Sequence, residues 1–297
     1  MRFVELFDNN RSLGKYDVPD EISASNGKSF RLYGATRMGG NGVVFAASEL
    51  LSGTPTGVKC AVKVLKQLSQ ARVDRFRNEI RVLSALESPY ISRCYDSGSM
   101  SVAPQLDGNS NRDVPWIAMQ LGGANLRQHV EENGPLSLQQ MKSITFGLCS
   151  ALEHLHLKSF IHRDIKPDNF VWRGVANTAP MMIDFGIAKR RGEDVSSRPM
   201  DTFTRVTEFV GPVFFSSPEL IEYAKNKAHP VDYRSDIFQL GKVLWYLATG
   251  KVSAGVPSRK ECPAQGKLRD LVLHMIDDDP DERPQALADV RSAMNAV

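Results

Sequence analysis

The residues best equipped for chemistry lie between positions 162 and 186. His162-Arg163-Asp164-Ile165-Lys166-Pro167-Asp168-Asn169 is followed, after an apolar Met181-Met182-Ile183, by Asp184-Phe185-Gly186. Asp164 offers a carboxylate that can orient a hydroxyl, and Lys166 sets a cation beside it. Asn169 and Asp184 add two oxygen-bearing side chains of the kind that hold magnesium on a nucleotide. Those are the parts of a phosphoryl transferase. Asp-x-x-x-x-Asn alone is common and usually marks a turn. Fixing His, Arg, Asp and Asn together leaves about a 0.2% chance of a match in a chain this long, taking each type at roughly one in twenty.

Two further groups of residues carry chemistry upstream. In Cys60-Ala61-Val62-Lys63-Val64-Leu65 the strand period of two places Ala61 and Lys63 on one face, toward a cleft, and Val62 and Val64 on the other. A small residue leaves room for a flat base, and a lysine two positions on can reach its phosphates. Taken alone, Lys63 reads as a solvated strand end. Arg37-Met38-Gly39-Gly40-Asn41-Gly42-Val43-Val44 is a glycine-rich turn whose amides can approach phosphate oxygens with no Cβ in the way.

Together these motifs resemble the eukaryotic-type (Hanks-type) protein kinases, serine/threonine kinases in particular because of Lys166, over about residues 30 to 295. The resemblance implies an α+β, two-lobed fold: a small antiparallel sheet with one regulatory helix, and a larger, mostly helical lobe. It implies a reaction, transfer of the γ-phosphoryl of ATP to a protein hydroxyl with magnesium or manganese as cofactor, and autophosphorylation. Asp164, Lys166, Lys63 and Glu79 are the expected catalytic set, Glu79 orienting Lys63. Gly39, Gly40, Gly42, Val44, Ala61, Lys63, Met119, Gln120, Gly122 and Val171 are expected around ATP, in a cleft between the lobes. Asn169 and Asp184 are the expected metal ligands. His162 is expected to pack beneath Phe185, and Ser217-Pro218-Glu219, Asp236 and Arg283 to be scaffold. A small-molecule kinase is disfavoured by Ser217-Pro218-Glu219 with Arg283, and an inactive nucleotide-binding module by the intact Lys63, Glu79, Asp164, Asn169 and Asp184.

The chain departs from the family pattern at two positions. Arg37 stands where the first glycine of the loop is usual, and Pro212 where a threonine is usual. Proline has neither hydroxyl nor N–H, so it cannot link to Asp164 and Lys166. Arg163 with Lys189 is expected to form a basic pocket for an activation-loop phosphate, which Glu208 partly replaces, leaving Thr202, Thr204 and Thr207 as autophosphorylation sites.

The elements that must position these residues are partly visible in the pattern. Val43–Ala47 and Cys60–Leu65 predict antiparallel strands, separated by the turn-rich Ser52-Gly53-Thr54-Pro55-Thr56-Gly57. Val73, Phe76, Ile80 and Leu83 predict a helix that also carries Glu79. Two more strands are predicted near Ile91–Ser97 and Trp116–Met119, separated by an elongated hairpin loop from Ser101 to Pro115. Met141, Ile144, Leu148, Leu152 and Leu155 line one helix, opened by a Ser137/Gln140 capping box, and Ile237, Leu240, Leu244 and Leu247 line another. A last short helix follows Arg283-Pro284, and the docking helix between Gly250 and Arg283 is expected to be short. Residues 1–28 are read as a loosely attached extension, 29–122 as the first lobe and 123–297 as the second.

Composition narrows the class. With 42% hydrophobic and 24% charged residues the chain can bury an ordinary core, and a net charge of +3 with no long basic run argues against nucleic-acid binding. No apolar run approaches the ~18 residues of a membrane span, and the charged N-terminal stretch predicts neither a signal peptide nor an anchor. Cys60, Cys94, Cys149 and Cys262 are too scattered for a disulfide scaffold or zinc site. The expectation is a cytoplasmic enzyme acting on a protein substrate.

Overall fold

The computed structural model describes residues 2–9, 11–24, 26–38, 42–107, 110–173, 179–190, 214–253 and 266–297. The chain divides into two compact units, Met1–Glu87 with Ser92–Leu121 and Ser88–Ile91 with Gly122–Val297. No helix among the described residues is long and apolar enough to cross a membrane.

The first unit is built on strands. β1 (Phe3–Asp8) and β2 (Arg11–Asp17) form an antiparallel hairpin. β3 (Glu21–Ser23), β4 (Lys28–Met38), β5 (Gly42–Leu51), β6 (Thr54–Leu65), β7 (Cys94–Val102) and β8 (Arg112–Gln120) form one sheet in the order β3-β4-β5-β6-β8-β7, with every neighbouring pair antiparallel. α1 (Gln70–Ser84) joins β6 to β7 and buries Phe76, Glu79, Val82 and Leu83.

The N-terminal residues are not loosely attached. Val4, Leu6, Leu13, Tyr16, Val18 and Ile22 are buried in one cluster with Phe45, Val62, Val64 and Trp116. In β1 every second side chain, Val4 and Leu6, faces that core. Phe3 and Phe7 flank them, and this nearly continuous apolar run hides the alternation in the sequence. The other strand boundaries also move. β7 starts at Cys94, because Ile91 belongs to the second unit, where it bridges Met182. The ladder runs into both ends of the stretch read as a long loop, as far as Val102 paired to Arg112; the polar residues of β7 sit on an edge strand, where burial does not demand alternation.

The second unit holds α2 (Leu126–Asn133), α3 (Leu138–Leu157), α4 (Pro218–Lys225), α5 (Arg234–Thr249), α6 (Gly266–Met275) and α7 (Leu287–Ala296). The Ser137/Gln140 capping box opens α3: Gln140 N–H donates to Ser137 Oγ at 3.4 Å and Ser137 N–H to Gln140 Oε1 at 2.9 Å. α5 is buried nearly all round, from Ser235 to Leu247, as befits the central helix of a core. Two short ladders complete the unit: β9 (Phe160–Ile161) with β12 (Lys189–Arg190), and β10 (Phe170–Val171) with β11 (Met181–Met182). Residues 162–169 therefore run between β9 and β10, and Asp184-Phe185-Gly186 between β11 and β12.

Candidate active site

In the first unit the register sets one face of the sheet. Val44 and Ile117 lie opposite Lys63, and Ala46 and Met119 lie opposite Ala61; directly paired residues project to the same side. Val44, Ala61, Lys63 and Met119 thus share a face, while Val62 and Val64 point into the core with the hairpin. Lys63 Nζ donates to both Glu79 oxygens, at 2.8 and 2.7 Å, and Glu79 is buried. A carboxylate taken out of water to this extent is tolerable only with its charge matched, and the pairing fixes where the lysine head sits.

Gly42 occupies a place that only glycine fits, since a Cβ there would lie 2.7 Å from the Val64 carbonyl oxygen. Gly39, Gly40 and Asn41 lie outside the described residues, and the backbone of Arg37 pairs with Val44. Gln120 already has backbone partners: its N–H donates to Arg93 O at 2.8 Å, and its carbonyl accepts a long 3.4 Å bond from Ser92 Oγ. The carbonyl keeps a second lone pair. In the second unit Gly122 packs on Val171, whose Cγ2 would be 2.3 Å from a Cβ at that position.

The second unit gathers the expected catalytic-loop residues around Asp164. Lys166 Nζ donates to Asp164 Oδ2 at 2.7 Å, and the Asn169 amide donates to Asp164 O at 2.7 Å and to Oδ2 at 3.1 Å. Burial alone would lower the Lys166 ammonium, but the carboxylates of Asp164 and Asp184 outweigh it and hold its pKa above the ordinary value. Lys166 therefore stays cationic. The Ile183 N–H bonds to Asn169 O at 2.8 Å, so the β10–β11 ladder delivers Asn169 and Asp184 to the same end.

Both loops depend on strained backbone. Arg163 and Asp184 have φ of 69° and 64°, a left-handed conformation costing of order 1 kcal/mol or more for a non-glycine residue. Asp236 holds the first in place by accepting the N–H groups of His162 and Arg163, each at 2.9 Å, and His156 Nε2 at 2.8 Å. Burial would push the Asp236 carboxyl up, but these hydrogen bonds and the His156 and His162 rings bring it below the usual range. Gln239 accepts the Ile165 N–H at 3.0 Å and donates to Arg163 O at 3.2 Å. His162 packs on Phe185 with ring centroids 5.1 Å apart and accepts the Asp164 N–H at 3.2 Å. Burial pushes its pKa down, so it is a neutral prop. Arg283 clasps Glu219 through two bonds of 2.7 and 2.9 Å, both residues buried.

Sequence reasoning missed several of these positions. Gln239 lies one helical turn after Asp236, a spacing that could have pointed to it. His156 and Arg127, whose Nε donates to both Asp168 oxygens at 2.9 Å, carried no such signal. Tyr223 on α4 was also missed: the Arg163, Lys227 and Lys189 head groups lie 4.7, 4.6 and 5.8 Å from its ring centre, and Lys189 Nζ donates to its hydroxyl at 3.1 Å. The expected basic pocket thus contains a phenol. Thr202, Thr204, Thr207, Glu208 and Pro212 lie outside the described residues, as does most of the segment between Gly250 and α6. Cys60 and Cys149 are buried, with thiols pushed up to about 12 by desolvation, and carry no thiolate chemistry.

The donor set suits a magnesium ion. Asn169 spends its amide nitrogen on Asp164, which turns its oxygen the other way, and Asp184 adds a carboxylate. No group of three or more His, Cys, Asp or Glu able to hold a metal occurs among the described residues. Magnesium fits this pattern, since it commonly takes one or two protein oxygens and completes its shell with phosphate and water.

Comparison with known proteins gives a consistent picture. Residues 38–293 match the family model described as protein kinase domain. A probable serine/threonine-protein kinase of Corynebacterium efficiens is 34% identical over 72% of this chain and 29% of its own length. The probable serine/threonine-protein kinase PkwA of Thermomonospora curvata is 31% identical over 86% of this chain and 32% of its own. The serine/threonine-protein kinase PknB of Mycolicibacterium smegmatis is 30% identical over 75% of this chain and 36% of its own. The chain spans about a third of the length of these relatives.

Proposed function

The chain belongs to the protein kinase family, and from that premise we propose that it transfers the γ-phosphoryl of Mg-ATP to serine or threonine hydroxyls of a protein substrate in the cytoplasm, and to its own chain. The observation that carries this is the arrangement at Asp164, with Lys166 Nζ at 2.7 Å and the Asn169 amide at 3.1 Å from one carboxylate oxygen.

Asp164 accepts the proton of the incoming hydroxyl and aims its oxygen at the γ-phosphorus. The new O–P bond forms as the bond to the β-phosphate oxygen breaks, and ADP leaves. Because such transition states are loose, positioning and charge supply most of the acceleration. Lys166 neutralises charge on the transferring group, and Lys63, aimed by Glu79, serves the phosphates of the nucleotide. Asn169 and Asp184 would hold magnesium, which when bound would supply shielding of the phosphate charge. Ala61, Val44, Met119 and Val171 offer apolar surface for the base, with backbone groups of Gln120 and Gly122 as its hydrogen-bond partners and Gly39, Gly40 and Gly42 over the phosphates.

Incubation with γ-labelled Mg-ATP and a generic protein acceptor tests the reading. Label on serine or threonine of the acceptor or of the chain itself is expected. Nucleotide binding without transfer, or label on small metabolites alone, overturns it.

A further inference from the structure

The β1–β2 hairpin lies before residue 38, where the match to the family begins, yet it is bonded to a segment on which the Lys63–Glu79 pair depends. Lys63 sits near the end of β6 and Glu79 on α1, and only residues 66–69 connect the two elements. β1 runs alongside this connection as a parallel bridge, Phe7 opposite Gln67. The Phe7 N–H donates to Lys66 O at 2.9 Å, and the Leu68 N–H donates to Phe7 O at 2.7 Å. Leu68 also packs its side chain on the hairpin core. One residue later Ser69 caps α1, its carbonyl accepting the N–H groups of Arg72 and Val73.

The hairpin is itself anchored at several points. Val4, Leu6, Leu13 and Tyr16 are buried against the sheet. The Leu106 N–H donates to Leu13 O at 2.9 Å and the Gln105 N–H to Lys15 O at 3.1 Å. Gly14, with φ of 91°, allows that approach: a Cβ there would lie 2.7 Å from Leu106 N. Arg2 donates to the carbonyls of Tyr33, at 2.8 Å, and Leu32, at 2.6 Å.

We propose that this hairpin is a positioning brace: by pinning the β6–α1 connection through Phe7 it holds α1 where Glu79 meets Lys63, and so sets nucleotide affinity and turnover without touching the nucleotide. A connection tied by two backbone bonds cannot pivot unless both break, and a helix pinned at its first turn keeps the heading of its later turns. The inference rests on the kinase reading for its kinetic consequence and on the backbone geometry alone for the brace.

The test is a double-mutant cycle in the full chain. Phe7→Pro deletes the N–H that Lys66 accepts and is expected to lower kcat/KM for ATP about 10-fold. In a Glu79→Gln background the same change is expected to matter less than about 2-fold, because non-additivity marks residues acting through one another. Val290→Ala, which opens a cavity at α7 in the second unit, should lower Tm while leaving KM for ATP unchanged. An undiminished loss in the Glu79→Gln background, or no loss in folded Phe7→Pro, overturns the brace. Amide hydrogen exchange of the unaltered chain gives a second readout should Phe7→Pro fail to fold. The Leu68 amide should be protected as strongly as the β1–β2 ladder, and fast exchange there overturns the proposal. Turnover without coupling sinks the brace alone. Absence of turnover sinks the kinase reading and leaves the exchange result to decide the brace.

Discussion

The Asp236 carboxylate accepts the backbone N–H of Arg163 at 2.9 Å, and Arg163, in a left-handed conformation at φ 69°, is the residue immediately before Asp164. A buried side chain on α5 thus sets the direction of the backbone from which Asp164 projects. Asp236→Ala leaves the N–H groups of His162 and Arg163 buried with no acceptor, at about 1–3 kcal/mol each. Denaturant unfolding should show a loss of about 2–6 kcal/mol, and turnover at a temperature where the variant is folded should fall at least 10-fold. A folded variant with normal turnover would show that the loop keeps its course without Asp236.

Asp164→Asn keeps the size of the side chain and removes its capacity to take a proton. Turnover should fall by roughly 10²–10⁴-fold, the usual share of a positioned acid or base, while the dissociation constant for Mg-ATP stays within a few-fold. Isothermal titration beside a single-turnover assay separates the two quantities. Equal turnover refutes the assignment.

Glu79→Gln removes the charge that aims Lys63. A hydrogen bond to a charged group contributes about 1.5–3 kcal/mol, so kcat/KM for ATP should drop by about 10- to 100-fold. Steady-state kinetics over a range of ATP concentrations gives the answer, and an unchanged kcat/KM would mean that Lys63 needs no partner.

Arg283 and Glu219 are buried and paired by two bonds. Removing either alone strands a charge and should cost about 3–5 kcal/mol. Replacing both by apolar residues of similar volume should cost much less. Three denaturant curves check this, and near-equal single and double losses would contradict the pairing argument.

His162 is buried with its pKa pushed down by desolvation. As pH falls through about 6.5 the unfolded chain takes up a proton on this residue while the folded chain does not. The unfolded state then binds more protons, so stability falls with acidification, by at most about 1.4 kcal/mol per pH unit. His162→Asn, whose amide oxygen can still accept the Asp164 N–H, should flatten that slope between about pH 6.5 and 5. Asp236, also held below its usual range, has the same sign but acts lower, below about pH 3.9. Parallel slopes in the variant and the unaltered chain would discount His162.

Candidate catalytic residues can be proposed from the sequence because the chemistry they offer is local. Asp164, Lys166 and Asn169 lie within one short segment, and their types and spacing limit what they can do. The shared face of Ala61 and Lys63 follows from strand alternation, and the core faces of α3 and α5 follow from helical spacing, for the same reason: both periods are properties of the backbone. Alternation fails as a guide where apolar side chains also stand off the buried face, as Phe3 does in β1, and where an edge strand is polar, as in β7.

The family, the two element types and the candidate catalytic loop are all written in neighbouring residues. Which distant groups meet is not. Asp236 beneath the Arg163 backbone, Gln239 on Ile165, Tyr223 among three cations, and the Phe7 contact with the β6–α1 connection join residues that no short-range period relates. Such meetings are fixed only when the core closes, because burial ranks one packing of the elements above the others and the long-range polar contacts are then selected to satisfy what that packing hides.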